Sequence, residues 1–341
     1  MNIPAFNIGL KGVLPPSTVL VTGGSGFVGA YVIRDLVSEG YKVKALRRKP
    51  VVPFYIDAHI VRQVQWIDCD ILDTYELEEA MMDTDAVIHT AAKVSFHDKD
   101  RFELFSTNVE GTANVVNAAL ENNVKRFIHV SSVSSLGKRN NGSIVTEESK
   151  WEENKLNTNY AVSKYYGEME VWRGIAEGLN AVIVNPSTIL GYGDWNSSSN
   201  ALFKNAYNGF PWYTNGVNGF VDIEDVSRAI VKLLATNISS ERFILNGDNW
   251  SYRKLFDTIA DSFGKRRPYR KATPLLSSLA WRLEKFRSFF TGKNVLLTKE
   301  TAKVAQSNTN FDNHKILDAL PGFTFTSLEQ TIKKACGRYA E

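Results

Sequence analysis

Several things are scarce in this 341-residue chain, and each scarcity excludes a class of protein. Cysteine occurs only at Cys69 and Cys336, far apart and with no second thiol beside either. That excludes a disulfide scaffold and makes a reducing compartment the default. Neither sign of charge is in excess: 40 Lys and Arg stand against 37 Asp and Glu, a net +3. No basic block therefore marks a nucleic-acid partner. No run of about 18 uncharged apolar residues exists to span a membrane. The opening MNIPAFNIGLKGVLPP lacks the continuous apolar core of a secretory signal. Internal repeats and low-complexity stretches are absent, and no residue is singled out as a metal ligand. What is present is apolar material, 43% of the residues, enough for a large core. The expectation is a cytoplasmic protein whose partner is a small molecule.

The chain alternates strands with helices. Thr18 to Thr22 is an apolar run ending in glycines, Phe27 to Ser38 is an amphipathic helix, and Lys42 to Leu46 is a second strand. Val64–Ile67 and Ala86–His89 read as strands around an acidic helix at Thr74–Met82. A helix over Asn108–Asn122 leads into a strand at Arg126–Ser131. A longer helix over Tyr160–Gly178 precedes a strand at Asn180–Val184. This order predicts an α/β fold, a parallel sheet covered on both faces. After Pro186 the stretch 191–220, rich in Gly, Asn, Ser and aromatics, reads as loops, and beyond Trp250 helical periodicity dominates.

The first chemical signal is Thr22-Gly23-Gly24-Ser25-Gly26-Phe27-Val28-Gly29, between a strand and a helix. Gly23 suits a tight turn, Gly26 lets backbone approach a pyrophosphate, and Gly29 permits close helix–strand packing. The helix N-terminus offers free N–H groups to phosphate. With the spacing G-x-x-G-x-x-G, the sequence resembles the extended branch of the short-chain dehydrogenase/reductase superfamily, the NAD-dependent epimerase/dehydratase family. Within it, the dihydroflavonol reductase and 3β-hydroxysteroid dehydrogenase group is most similar. The resemblance runs from about Val19 to Leu245. It implies a Rossmann-like doubly wound sheet over 17–185 with a returning segment at about 220–246. A smaller, mostly helical substrate domain would then comprise 186–219 and 247–341.

The second signal is Tyr160-Ala-Val-Ser-Lys164, a phenol and an ammonium on one helix face. Lowering a phenol by about 3 pKa units takes about 4 kcal/mol, within reach of a neighbouring cation in a dehydrated cleft. The pair by itself is also what a surface helix would show. The third signal, Ser131-Ser132 at a strand end, lies 28 positions before Tyr160 if counted from Ser132. Alignment on Gly137 with the family places the catalytic hydroxyl on Ser132. Ser131 is the rival, since only one of two strand neighbours faces a given side. The resemblance then implies a catalytic set of Ser132, Tyr160 and Lys164.

The cofactor reading turns on Arg47-Arg48-Lys49, where no carboxylate is available to hold a ribose 2′-hydroxyl. NADP(H) is favoured, with the phosphate on Arg48 by resemblance. A solvated basic loop and NAD(H) remain the alternative. The family's adenine and ribose contacts fall on Asp70, Ile71, Thr90, Ala91 and Ala92. Ser25, Phe27 and Val28 border the phosphates, and Asn185, Pro186 and Ser187 border the nicotinamide together with Ser131. His89 and Asn108 are read as structural. Ser95, Phe96, Tyr192, Trp195 and Trp212 are the substrate-site candidates alongside Ser132, although half of the aromatics in the region would merely fill core. Phe210 and Tyr213 belong to the same aromatic set. Asn218-Gly219 stands where nucleotide-sugar enzymes carry arginine, which weighs against a diphosphate sugar.

The stretch 275–290 alternates apolar and basic residues. A lid and an interfacial membrane contact are both open for it. Three functions follow: an NADP(H)-dependent reductase or dehydrogenase acting on a hydrophobic ketone, aldehyde or alcohol, a nucleotide-sugar epimerase or dehydratase with retained NAD, and a dinucleotide sensor without chemistry. By analogy with the family, helices near 108–122 and 160–178 would build a homodimer.

Overall fold

In a computed structural model, residues 12–137, 144–153, 157–273 and 305–341 are described. The 275–290 stretch lies outside them. The first half contains β1 (Thr18–Thr22), α1 (Phe27–Ser38), β2 (Lys42–Arg47), α2 (Ala58–Arg62), β3 (Gln65–Asp68), α3 (Thr74–Met81) and β4 (Ala86–His89). Then come α4 (Arg101–Phe105), α5 (Gly111–Glu121), β5 (Arg126–Val130), α6 (Asn159–Ala176), β6 (Ala181–Pro186) and β7 (Thr188–Leu190). The remainder holds α7 (Ala201–Tyr207), β8 (Trp212–Tyr213), β9 (Val217–Asp222), α8 (Ile223–Leu234), β10 (Glu241–Leu245), β11 (Asp248–Ser251), α9 (Tyr252–Ser262) and β12 (Arg270–Lys271). Helices α10 (His314–Ala319) and α11 (Leu328–Ala340) follow.

Seven parallel strands form the main sheet in the order β10-β6-β5-β4-β1-β2-β3. The strand order reverses between β1 and β4, and open α/β sheets bind ligands outside the carboxyl ends at that reversal. Alternation along the strands sends apolar side chains both ways. Val19, Val21, Ile88, Ile128 and Val184 pack against α1 and α8, while Leu20, Val87, Phe127 and Ile183 pack against α3, α5 and α6. This is the Rossmann-like doubly wound architecture. A second core joins Phe203, Phe220, Trp250, Leu255, Ile259 and Ile332 beside the three-stranded sheet β11-β9-β7. Cys69 and Cys336 are buried free thiols.

Two expectations need correction. The helix expected to start at Asn108 is entered earlier, at Arg101, and passes through one wide π turn at Ser106–Glu110 before α5. Asn108 sits in that turn with both ends of its amide bonded to the Lys93 backbone, Oδ1 accepting at 2.7 Å and Nδ2 donating at 3.0 Å. An extra residue per turn is how a helix makes such a detour. The 191–220 stretch also holds more than loops, since α7 lies within it. Only Phe203 and Ala206 of that helix are buried, too short a stripe for periodicity to reveal.

On the α5/α6 side of the sheet, His89 and His129 stand on paired strand positions with rings stacked at 5.2 Å. His89 is bonded at both nitrogens, to Thr22 at 2.7 Å and Thr112 at 3.0 Å. His129 has no hydrogen-bond partner at either nitrogen. Burial pushes His89 down to about 3 and His129 well below its ordinary value. The unfolded chain takes up protons near pH 6.5 that the native chain refuses, so each histidine removes stability as pH falls below that value. The slope reaches about 1.4 kcal/mol per pH unit. His129→Leu is expected to flatten the loss of stability between pH 6.5 and 4.5. Urea denaturation at the two pH values checks this, and an unchanged difference between them refutes it.

Candidate active site

The turn after β1 is fitted to the end of β4. Gly23 has φ +66°, and a Cβ there would stand 2.7 Å from the Ala91 Cα. Thr90 Oγ1 donates to the Thr22 carbonyl at 2.7 Å, and the Ala91 N–H donates to Thr22 Oγ1 at 3.2 Å. At Gly29 a Cβ would meet the Gly23 carbonyl oxygen at 2.4 Å, so α1 packs against the turn with no room for a side chain. Gly26 is different: the nearest atom to its added Cβ is the Gly23 oxygen, at 3.1 Å. Phe27 begins α1, with Ser25 in the turn before it and Val28 half-buried behind, so the helix N–H groups open at this turn. Ala92 follows as an exposed residue.

The ends of β2 and β3 carry the charged groups. Arg47 is held by Asp68 at 2.6 Å and lies over the Trp66 ring. Arg48 is more than half exposed, its closest carboxylate contact being Glu103 at 3.9 Å. Asp70 Oδ1 caps its own turn through the Leu72 N–H, and Ile71 packs on Gly111.

Helix α6 brings the phenol and the ammonium to the sheet. Thr158 caps it, its hydroxyl accepting from the Ala161 N–H at 3.0 Å, which sets Tyr160 in the first turn. Ser163 receives the Asn108 amide at 2.9 Å, and Gly167 lies so close to the Asn108 carbonyl that a Cβ would stand 2.2 Å from it. Lys164 is thereby buried, donating to the Val130 carbonyl at 2.9 Å. Burial lowers it to about 8, with Glu168 pulling the other way. The Ser132 side chain lies near the Tyr160 phenol and favours its ionised form. The expected depression of its pKa is not what the protein alone produces. Burial raises it, and the Ser132 contact only partly opposes that. The physical reason is desolvation of the phenolate, which outweighs the help from Ser132.

The two serines separate cleanly. Ser131 turns its hydroxyl to Glu168 at 2.7 Å, so its side chain is committed inside the protein. The Ser132 hydroxyl instead accepts from the Ser134 N–H, capping the short turn Val133–Leu136. Asn185 and Ser187 flank this row on β6 and just after it, with Pro186 between them. Asn185 Nδ2 donates to Glu168, Ser135 and the Ser132 carbonyl, whereas Asn185 Oδ1 and Ser187 Oγ are buried without a partner.

Of the substrate candidates, Phe96 meets Tyr160 with ring centroids 5.7 Å apart. Ser95 is buried and donates to Asp100 at 2.6 Å. Tyr192 and Trp195 have Tyr339 of α11 as their ring neighbour, at 4.8 and 5.4 Å. Trp212 lies under Arg270, and Phe210 neighbours Phe256. Among these aromatics, Phe96 is the one with a ring contact to Tyr160, while Tyr192 and Trp195 contact the C-terminal helix. Sequence reasoning missed Glu168. The signal was available, because Tyr160, Lys164 and Glu168 continue one i, i+4 row.

A sequence model of the NAD dependent epimerase/dehydratase family matches residues 19–245. The chain belongs to that family. A Synechocystis protein provisionally described as a dihydroflavonol 4-reductase is 29% identical over 325 residues, 92% of each chain. Tetraketide alpha-pyrone reductase 2 of Arabidopsis thaliana is 31% identical over 257 residues, covering 69% of this chain and 80% of its own. The crystal structure of gox2253 superposes with a TM-score of 0.78 at 27% identity, covering 95% of this chain and 98% of the other. The family and the reductases among its relatives support an NAD(P)-dependent oxidoreductase. Among the described residues no helix is long and apolar enough to cross a membrane.

The glycines should separate by experiment. Gly29→Ala drives a Cβ into backbone and is expected to cost about 1–3 kcal/mol of stability. Gly26→Ala should melt near the parent yet weaken dinucleotide binding, read by fluorescence titration. Equal melting of the two variants would contradict this assignment of roles.

Proposed function

We propose that this protein is an NADP(H)-dependent reductase or dehydrogenase that interconverts a ketone or aldehyde with an alcohol on a fairly hydrophobic small molecule. What supports the reading is that Tyr160 stands near Ser132, just past β5, while Lys164, one turn further along α6, is buried against the Val130 carbonyl at the end of β5. The residues present fit a nicotinamide dinucleotide. The tight Gly23 turn and the less crowded Gly26 form a backbone cradle, and the orphaned Asn185 Oδ1 and Ser187 Oγ are buried polar atoms that a carboxamide could satisfy. The bound cofactor supplies the hydride.

Tyr160 Oη donates the proton to the substrate oxygen, and Ser132 Oγ hydrogen-bonds that same oxygen as charge grows on it. Lys164, one turn further along α6, presents its ammonium towards the ribose hydroxyls, and a cation so placed favours the phenolate over the phenol. Phe96 covers the Tyr160 ring and excludes water from that side. On this reading the nucleotide part is 17–185 with 220–246, and two copies pair as a homodimer through the α5/α6 side.

A nucleotide sugar is the poorer substrate. Asn218 is occupied by Thr188 and Tyr252, and the nearby cation Arg253 lies over the Tyr213 ring, with Asp257 at 3.8 Å. The position is thus filled by a neutral amide, which leaves Lys204 and Arg253 as the cations a diphosphate would have to recruit. The 2′-phosphate preference rests on Arg48, since Arg47 is already held by Asp68.

Two experiments test the reading. Tyr160→Phe should lower kcat by about 10²–10⁴ across a carbonyl panel while the dinucleotide Kd stays close to that of the parent. Full activity in this variant ends the proposal. Arg48→Ala should raise KM for NADPH about 10-fold or more and leave NADH use nearly unchanged. Equal effects on the two cofactors would move the phosphate site elsewhere.

A further inference from the structure

Glu168 is buried in full, one turn beyond Lys164 on α6. Its Oε2 accepts from Ser131 at 2.7 Å, Ser135 at 2.6 Å and Asn185 at 2.8 Å. Its Oε1 accepts from Trp172 at 3.3 Å and from the Arg242 guanidinium of β10 at 3.0 Å. Three strands and the loop carrying Ser132 thus converge on one carboxylate. A structural anchor alone could use a neutral amide or an apolar contact. A charge kept dry here is costly unless fully bonded, and replacing such groups by apolar ones is often neutral or stabilising. The placement next to Lys164 is what the anchoring role leaves unexplained.

We propose that Glu168 is a positioning residue of the active site: it fixes the turn that carries Ser132 and supplies the countercharge that keeps the Lys164 ammonium in place beside Tyr160. The inference rests on the Ser132–Tyr160–Lys164 reading above and deepens it. The charged or titratable groups around Lys164 are few. His89 of β4 and His129 of β5 stay neutral at working pH because burial holds them far below their ordinary value. Arg242 of β10 is positive and already paired with Glu168. Tyr160 is on the same helix. The only anion in this set is Glu168, and it is the one charge that opposes the desolvation of Lys164.

The sign follows. Without the carboxylate, Lys164 loses its proton at lower pH, and Tyr160 then ionises only at higher pH. In alcohol oxidation the rate rises with pH as the phenolate forms. Glu168→Gln should therefore move that rising limb upward by about one pH unit or more and lower kcat about 10-fold, with KM for the dinucleotide little changed. Glu168→Asp keeps the charge and shortens the reach. It should lower kcat while leaving the limb where the parent has it.

The pH profiles of kcat for both variants, with the parent and Tyr160→Phe alongside, decide the matter. A parent without turnover, or an active Tyr160→Phe, would bring down the underlying reading. A silent Tyr160→Phe with an unmoved limb in Glu168→Gln would overturn the role of Glu168 alone. Should Glu168→Gln fail to fold, a limb displaced in Glu168→Asp overturns it equally.

Discussion

The site depends on how closely α6 lies against α5 and the sheet. Gly167 and Gly174 leave no space for side chains, with the Asn108 carbonyl and Val116 filling the positions that Cβ atoms would take. That closeness carries Lys164 deep enough to reach a strand carbonyl, and it brings the Tyr160 phenol to the Ser132 turn. A helix displaced by one methyl group would forfeit both contacts. The same constraint makes Lys164 and Glu168 buried charges in one helix, a combination that survives only because each has a partner.

The other half of the site is the clasp between β1 and β4. Thr22 holds His89, Thr90 and Ala91 through its hydroxyl and carbonyl, so the two strand ends flanking the reversal of strand order cannot part. The glycine turn is shaped by this clasp from one side and by α1 from the other. Phosphate binding at such a turn needs no dedicated side chain, because the donors are backbone N–H groups already oriented by the fold. At the ends of β2 and β3 one arginine is tied to Asp68, and the next is more than half exposed with Glu103 at 3.9 Å.

Stability and chemistry pull against each other at this end of the sheet. His129 is buried with unmet nitrogens, Lys164 sits far below its ordinary pKa, and Tyr160 above its own. Perturbed groups gathered in one cleft are a feature of functional sites, where polar groups are kept for reactivity rather than for packing.

Much of this was legible in the chain itself. The parallel α/β order, the strand at Thr18–Thr22, the helix at Phe27–Ser38 and the strand at Ala86–His89 follow from local periodicity and glycine punctuation, which depend on neighbours in sequence. The motifs carrying Gly23, Tyr160 and Lys164 are likewise local. Other features required the tertiary structure. The Ser131 hydroxyl is taken up by Glu168, 37 positions away, a contact outside any local sequence window. The direction of the Tyr160 shift was decided by desolvation, which no sequence window contains. For the aromatic residues near 192–212, the ring neighbours Tyr339 of α11 and Phe256 of α9 come from distant segments. Periodicity reports which face of an element is apolar, but what covers that face is set by segments a hundred or more residues away.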